Sequence, residues 1–149
     1  METFEWPITN SSDSIQEKIE KLRANMDRIK ELTGSIAEVP VSSLIKSRTM
    51  DRIELVLPRG KAEVEKYNTA FFTSLLCTLY PDTVYPMHKH IENEYLIVIE
   101  GSIYLDLGDG PILYNKLAYI YIAPEQLHSI YVEEKSVILT ITVPVSEEY

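Results

Sequence analysis

The sequence predicts a mainly antiparallel β protein, closed into a barrel or built of two facing sheets, with one N-terminal helix. Three observations predict it. Apolar residues recur at helical spacing only ahead of Gly34. From Arg52 onward, seven short strand-like runs follow one another. The gaps between those runs hold Gly, Pro, Asp or paired charges, the residues of turns. Many short strands punctuated in this way favour a closed or double-sheet antiparallel architecture.

The helix comes first. Between Asp13 and Thr33 the apolar residues are Ile15, Ile19, Leu22, Met26 and Ile29, spaced 4-3-4-3 on one stripe. Ser14 and Glu17 fit a capping box, in which the serine hydroxyl accepts from the third helical N–H. Gly34 suits the left-handed turn that closes a helix. The expected element covers about residues 14–33, roughly five turns. Two roles are open: packing on its own domain, or a short seam that pairs subunits into a homodimer. Sustained coiled coils run to about three or four heptads, more than this stretch holds.

Residues 35–51 are polar, interrupted by Pro40, and read as a connector. The strand runs are 52–57, 70–80, 94–99, 102–107, 117–122, 128–132 and 136–143. The expected organisation is therefore an N-terminal segment over 1–34, a connector over 35–51 and one β domain over 52–149.

Composition excludes several functions. The chain has 149 residues, with 14 Lys and Arg against 23 Asp and Glu, a formal charge of −9. Such a balance argues against a phosphate-backbone binder and against docking on anionic lipid. No apolar run approaches the ~20 residues of a membrane helix. The first ten residues lack a basic n-region and an apolar h-region, so a cytoplasmic protein is expected. The single cysteine, Cys77, sits in an apolar run and reads as a buried, inert thiol. Gly108-Asp109-Gly110 reads as a hairpin turn and not a phosphate loop, because no helix start follows it.

The chemistry concentrates in three histidines, the whole histidine content: His88, His90 and His128. Residues i and i+2 of an extended segment share a face, so His88 and His90 point together and Lys89 points away. Glu94 opens the next strand four residues later. Imidazole nitrogen and carboxylate oxygen suit a first-row divalent metal. His128, just after Pro124, enters a strand that a neighbour could bring alongside. From spacing alone, a metal site and a plain polar cluster stand about even.

The segment from Tyr80 through His88, His90 and Glu94 to Gly101 resembles the first motif of the cupin family, HxH-x3-E-x6-G. Lys116 through Pro124 to His128 resembles the second. The resemblance spans about residues 70–143. It implies a cupin-type double-stranded β-helix, a small jelly-roll barrel, holding one divalent transition metal on His88, His90, Glu94 and His128. Iron, manganese, nickel, cobalt and zinc all fit such a set. Three positions depart from the pattern: Asp82, Leu117-Ala118 and Glu125 stand where glycine or Gly-Asp is usual. Tyr85 and Tyr95 flank the first motif and are candidate substrate contacts.

The expected function is a metal-dependent enzyme acting on a small molecule, with oxygenase-type chemistry favoured. The alternative is a non-catalytic sensor or binding module dimerised through its helix. With ordinary imidazole pKa values near ~6.5, metal affinity is expected to fall below about pH 6, by up to about three decades per unit.

Overall fold

Helix α1 (Ile15–Gly34) starts where Ser14 Oγ accepts the N–H of Glu17 at 3.1 Å, as the capping box requires. The computed structural model describes residues 14–34 and 37–149; the first thirteen residues and the start of the connector, 35–36, lie outside them. The stripe is used unevenly. Ile29 is fully buried against Val84, Tyr104 and Tyr131, with Met26 and Leu32 beside it. Ile15 and Ile19 are 79% and 43% exposed, so the first turns stand clear of the body. The helix thus packs on its own domain through its second half.

Eleven strands follow among the described residues. They are β1 (Ile45–Arg48), β2 (Arg52–Leu55), β3 (Ala62–Asn68), β4 (Thr73–Leu79), β5 (Thr83–His88), β6 (Asn93–Glu100), β7 (Ser102–Asp106), β8 (Pro111–Asn115), β9 (Tyr119–Ile122), β10 (His128–Val132) and β11 (Ser136–Val143). One sheet runs β1-β2-β3-β4-β11-β6-β9, the other β5-β10-β7-β8, and the pairings are antiparallel. The core lies between them. Val64, Leu75, Leu79, Leu96, Val98 and Ile138 from the larger sheet meet Ile103, Leu105, Ile130 and Val132 from the smaller. The opposite face of the smaller sheet is covered by α1.

Four strands fall outside the seven expected runs. β1, next to the 3-10 turn Val41–Leu44, forms within the stretch read as connector. β3 alternates Ala62, Val64 and Lys66 with Glu63, Glu65 and Tyr67, a pattern diluted by charge. β5 carries Pro86 and β8 opens on Pro111, residues that weaken a strand reading. β4 begins at Thr73 and not at residue 70, because Thr69 Oγ1 accepts the N–H groups of Phe71 and Phe72 and closes a turn there.

The three departures from the glycine pattern keep the backbone that glycine would adopt. Asp82, Leu117 and Glu125 have φ of 66°, 73° and 64°. Left-handed backbone costs an ordinary residue about 1–2 kcal/mol. Asp82 recovers part of this: its carboxylate accepts from Arg59 Nε at 2.8 Å and from the Tyr131 hydroxyl at 2.9 Å. Glu125 is held by its N–H to the His90 carbonyl at 2.7 Å and by Lys89 at 3.4 Å. The Leu117 side chain, 71% exposed, recovers little. Leu117→Gly should therefore stabilise the protein by up to about 1 kcal/mol, after the entropy cost of glycine is subtracted. Urea unfolding that shows a lower midpoint for the variant would refute this.

Candidate metal centre

The four ligand candidates reach one place because β5, β6 and β10 bring them there. His128 pairs directly with His88 across the β5–β10 ladder. The register shifts beyond that pair, a bulge that lies at Pro86 and Met87. A proline in a paired strand is tolerated at a bulge, and bulges re-aim neighbouring side chains. Glu94 enters from β6, in the opposite sheet. Ring centroids lie 4.1 Å apart for His88 and His128, 4.8 Å for His88 and His90, and 5.3 Å for His90 and His128. All four residues are buried. Lys89 follows the last residue of β5 and points outward, to Glu125 and Glu38.

Hydrogen bonds set the tautomers. His88 Nδ1 lies 2.7 Å from the Pro86 carbonyl, and His128 Nδ1 2.9 Å from that of Gln126. A carbonyl only accepts, so both Nδ1 atoms carry the proton. His90 Nδ1 likewise faces the Glu148 carboxylate at 3.2 Å. Each ring then keeps its lone pair on Nε2. His90 Nε2 and His128 Nε2 are buried and have no hydrogen-bond partner. Opposite them stand Glu94 Oε1 at 3.4 Å and Oε2 at 3.5 Å. When Glu94 is ionised, lone pairs therefore face lone pairs in a buried pocket, an arrangement that a cation satisfies. His88, His90 and His128 form a group that could hold a metal ion.

Burial shapes the charges. It lowers His90 and His128 to about 4, and His88 well below its ordinary value with help from the other two rings. It raises the Glu94 carboxyl to about 7, with a smaller contribution from the Glu92 charge. The imidazoles are thus neutral and ready as ligands throughout the physiological range.

The interior beside these groups is small and apolar. It has room for about 30 Å³, lined by Leu75, Cys77, Leu79, Ile130 and Ile138 among others. Tyr85 lines it, with its ring 4.6 Å from that of His88. Tyr95 does not reach it: Glu94 points inward, so its neighbour lies on the outer face, half exposed against Tyr121. That placement removes Tyr95 as a contact for anything inside the barrel. Cys77 also faces the cavity, and burial pushes its thiol up to about 12.

Sequence reasoning missed the segment after β11. Ser146 N–H bonds Thr73 Oγ1, and Ser146 Oγ accepts the N–H groups of Glu148 and Tyr149. This turn sends Tyr149 into the barrel, its ring 5.7 Å from His90 and its hydroxyl on that of Tyr85. Lys66 holds the Tyr149 carbonyl and Arg48 that of Glu148. The stretch Ser-Glu-Glu-Tyr reads as solvated polar chain, and the only signal was its large aromatic.

No protein-family model and no curated protein matches the chain. Solved structures do. An RmlC-like cupin from Shewanella frigidimarina superposes with a TM-score of 0.55 at 9% identity, covering 61% of this chain and 86% of its own. A cupin superfamily protein from Desulfitobacterium hafniense gives 0.52 at 13% identity, over 71% and 89%. An RmlC-like cupin from Desulfovibrio desulfuricans gives 0.52 at 19% identity, over 58% and 84%. The fold is that of the cupins: two antiparallel sheets in a jelly-roll barrel with one N-terminal helix. Among the described residues, no helix is long and apolar enough to cross a membrane.

Glu94 gives a test that needs no metal. Its carboxyl titrates near 7 in the fold against 4.5 ordinarily, so the folded chain holds the proton more tightly than the unfolded one. This contribution to stability is full below pH 4.5 and is lost as pH rises through 7. Above that, the buried charge costs about 3 kcal/mol relative to low pH. Metal-free Glu94→Gln should therefore melt higher than the parent at pH 8, with the difference shrinking toward pH 4.5. Equal melting curves at both pH values would show that the carboxylate is not desolvated.

Proposed function

We propose that this chain is a metal-dependent cupin enzyme acting on a small molecule, with oxygenase-type chemistry favoured. His88, His90, Glu94 and His128 would hold one divalent transition-metal ion: iron, manganese, nickel, cobalt or zinc. The observation that carries the reading is the convergence of buried, unpartnered imidazole Nε2 atoms on the Glu94 carboxylate. When bound, the ion supplies Lewis acidity or, if redox-active, electrons. The chain's own groups do the rest. Leu75, Leu79, Ile130 and Ile138 exclude bulk water. The Tyr85 phenol, whose pKa burial raises, stays protonated and offers a donor beside His88. The remaining interior space admits only one or two waters. A larger substrate must draw Tyr149 out or approach from the groove beside His90.

One observation favours the alternative, a non-catalytic sensor. Helix α1 packs on β5 and β10, the strands that carry His88 and His128, and presents exposed Ile15 and Ile19 in its first turns. Occupancy of the centre could reach a partner by that route. Oxygen uptake or turnover by metal-loaded protein, across small acids, diketones and thiols, supports the enzyme. Tight metabolite binding without turnover supports the sensor.

The metal reading makes a quantitative prediction. The purified chain should bind about one divalent ion, and His128→Ala should weaken binding far more than Lys89→Ala. Free metal at ~1,000 Kd should add about 4 kcal/mol to stability. With His90 and His128 lowered to about 4, the proton on Glu94 is the main competitor between pH 7 and 4. Affinity should then fall by about one decade per unit there and more steeply below, a gentler onset than ordinary imidazoles would give. Metal titrations at pH 7.5 and 5.5, read by melting temperature, check both claims. An unchanged melting temperature at pH 7.5 would sink the reading.

Self-association is proposed as well. On the outer face of the larger sheet, Leu76, Leu139, Ile97 and Tyr119 lie in register across four strands, with Tyr95 and Tyr121 beside them. Such a partly exposed apolar ladder suits a homodimer interface. Light scattering at tens of micromolar should report a dimer, and one that survives removal of residues 1–34 would refute a role for α1 in the contact. A monomer would refute it.

A further inference from the structure

A second cluster lies at the mouth of the barrel. One ligand atom from each of His90, Glu92 and Glu148 falls within 4.8 Å of the others. Glu92 is only 2% exposed, and neither of its carboxylate oxygens has a hydrogen-bond partner. A buried carboxylate among other carboxylates, with Ser146 its nearest side-chain donor and no hydrogen bond of good geometry to either oxygen, is a costly arrangement unless a cation joins it.

The surroundings give such a cation a way in. An open groove of about 440 Å³ passes the cluster, its wall including Lys89, His90, Glu125, Glu147 and Glu148. Lys89 is the one cation in that wall, and it is already engaged by Glu38 and Glu125. The groove is therefore negative and attracts divalent ions.

His90 belongs to both clusters, and its chemistry forbids it to serve both at once. A neutral imidazole has one lone pair. With the proton on Nδ1 facing Glu148, Nε2 is free for the interior. Binding at the mouth needs the lone pair on Nδ1, with the proton on Nε2 toward Glu94. Passage inward then takes one proton from Nε2 and returns one to Nδ1, with no net change.

We propose that His90, Glu92 and Glu148 form an entry site that captures a divalent cation from the groove and passes it to the interior centre. The inference rests on the interior reading above but concerns kinetics. An obligatory way station changes both rates of exchange and leaves the equilibrium alone. Glu92 contributes charge and a ligand oxygen at the mouth, and Glu148 both ligates and, once the ion has moved, accepts from Nδ1–H.

Cobalt(II) uptake by the metal-free full chain, followed by stopped-flow absorbance at physiological salt, tests this. Glu92→Gln should slow uptake severalfold, because the mouth then lacks one ligand oxygen and one negative charge. Removal of cobalt by excess chelator should slow as well, so that the dissociation constant moves less than either rate, by no more than the loss of the Glu92 charge beside Glu94 accounts for. Glu148→Gln should also slow uptake. Glu147→Gln removes the same charge from the groove wall without removing a ligand, and should leave the rate near that of the parent. Parental uptake by Glu92→Gln overturns the proposal, as does equal slowing by Glu147→Gln, which would mean general attraction. A lower equilibrium affinity of Glu92→Gln with an unchanged uptake rate also overturns it, by placing Glu92 in the interior centre. If the parent itself binds no cobalt, the interior reading falls together with this one.

Discussion

Desolvation of four ionisable side chains inside an apolar barrel is the constraint on which the rest of the molecule turns. An unpaired polar group in such a place costs roughly 1–3 kcal/mol, and this interior gathers several. The chain meets the constraint by division. Each Nδ1 is satisfied locally, by a carbonyl two residues back on its own segment for His88 and His128, and by Glu148 for His90. Each Nε2 is then left for whatever occupies the centre. A neutral hydrogen-bonded cluster could have been stable without any guest. Here the ionised Glu94 carboxylate and the imidazole Nε2 atoms offer only lone pairs to one another, so the cluster is satisfied by a proton on Glu94 or by a cation that the group could hold.

The sheet supplies the rigidity that this division needs. His88 and His128 face each other across one ladder, so their separation is set by strand pairing and not by side-chain rotamers. Glu94 arrives from the opposite sheet, so closing the barrel and assembling the centre are the same event. The connection from β6 to β7 is the single residue Gly101, at φ 75°. A Cβ there would come within 2.4 Å of Ser136 Oγ and 2.7 Å of the Lys135 carbonyl. That close approach seats β11 between its neighbours, next to the strand that carries Glu94.

Much of this was legible in the sequence, for identifiable reasons. The inward direction of His88 and His90 and the outward one of Lys89 match the alternation expected of an extended segment, although β5 itself ends at His88. The turn positions at Asp82, Leu117 and Glu125 keep left-handed backbone although their residues are not glycine, so the motif pattern survived substitution. Three things were not legible. Strand β5 hid behind Pro86, because a bulge that excuses a proline is a property of two strands and not of one. Tyr95 flanks the motif as closely as Tyr85 does, and only the strand's phase tells them apart. Glu92 and Glu148 gained meaning from a turn at Ser146 whose partner, Thr73, is 73 residues earlier.

The lone thiol has a practical consequence. Cys77 is buried against the same cavity as His88, Glu94 and Tyr149. A chain with one cysteine gives a single-site labelling reaction with no background. Reagents in solution reach that sulfur only while the barrel is open, so the alkylation rate records how often the interior is uncovered. The protein carries its own clock for breathing, read with a small alkylating reagent and a mass spectrometer.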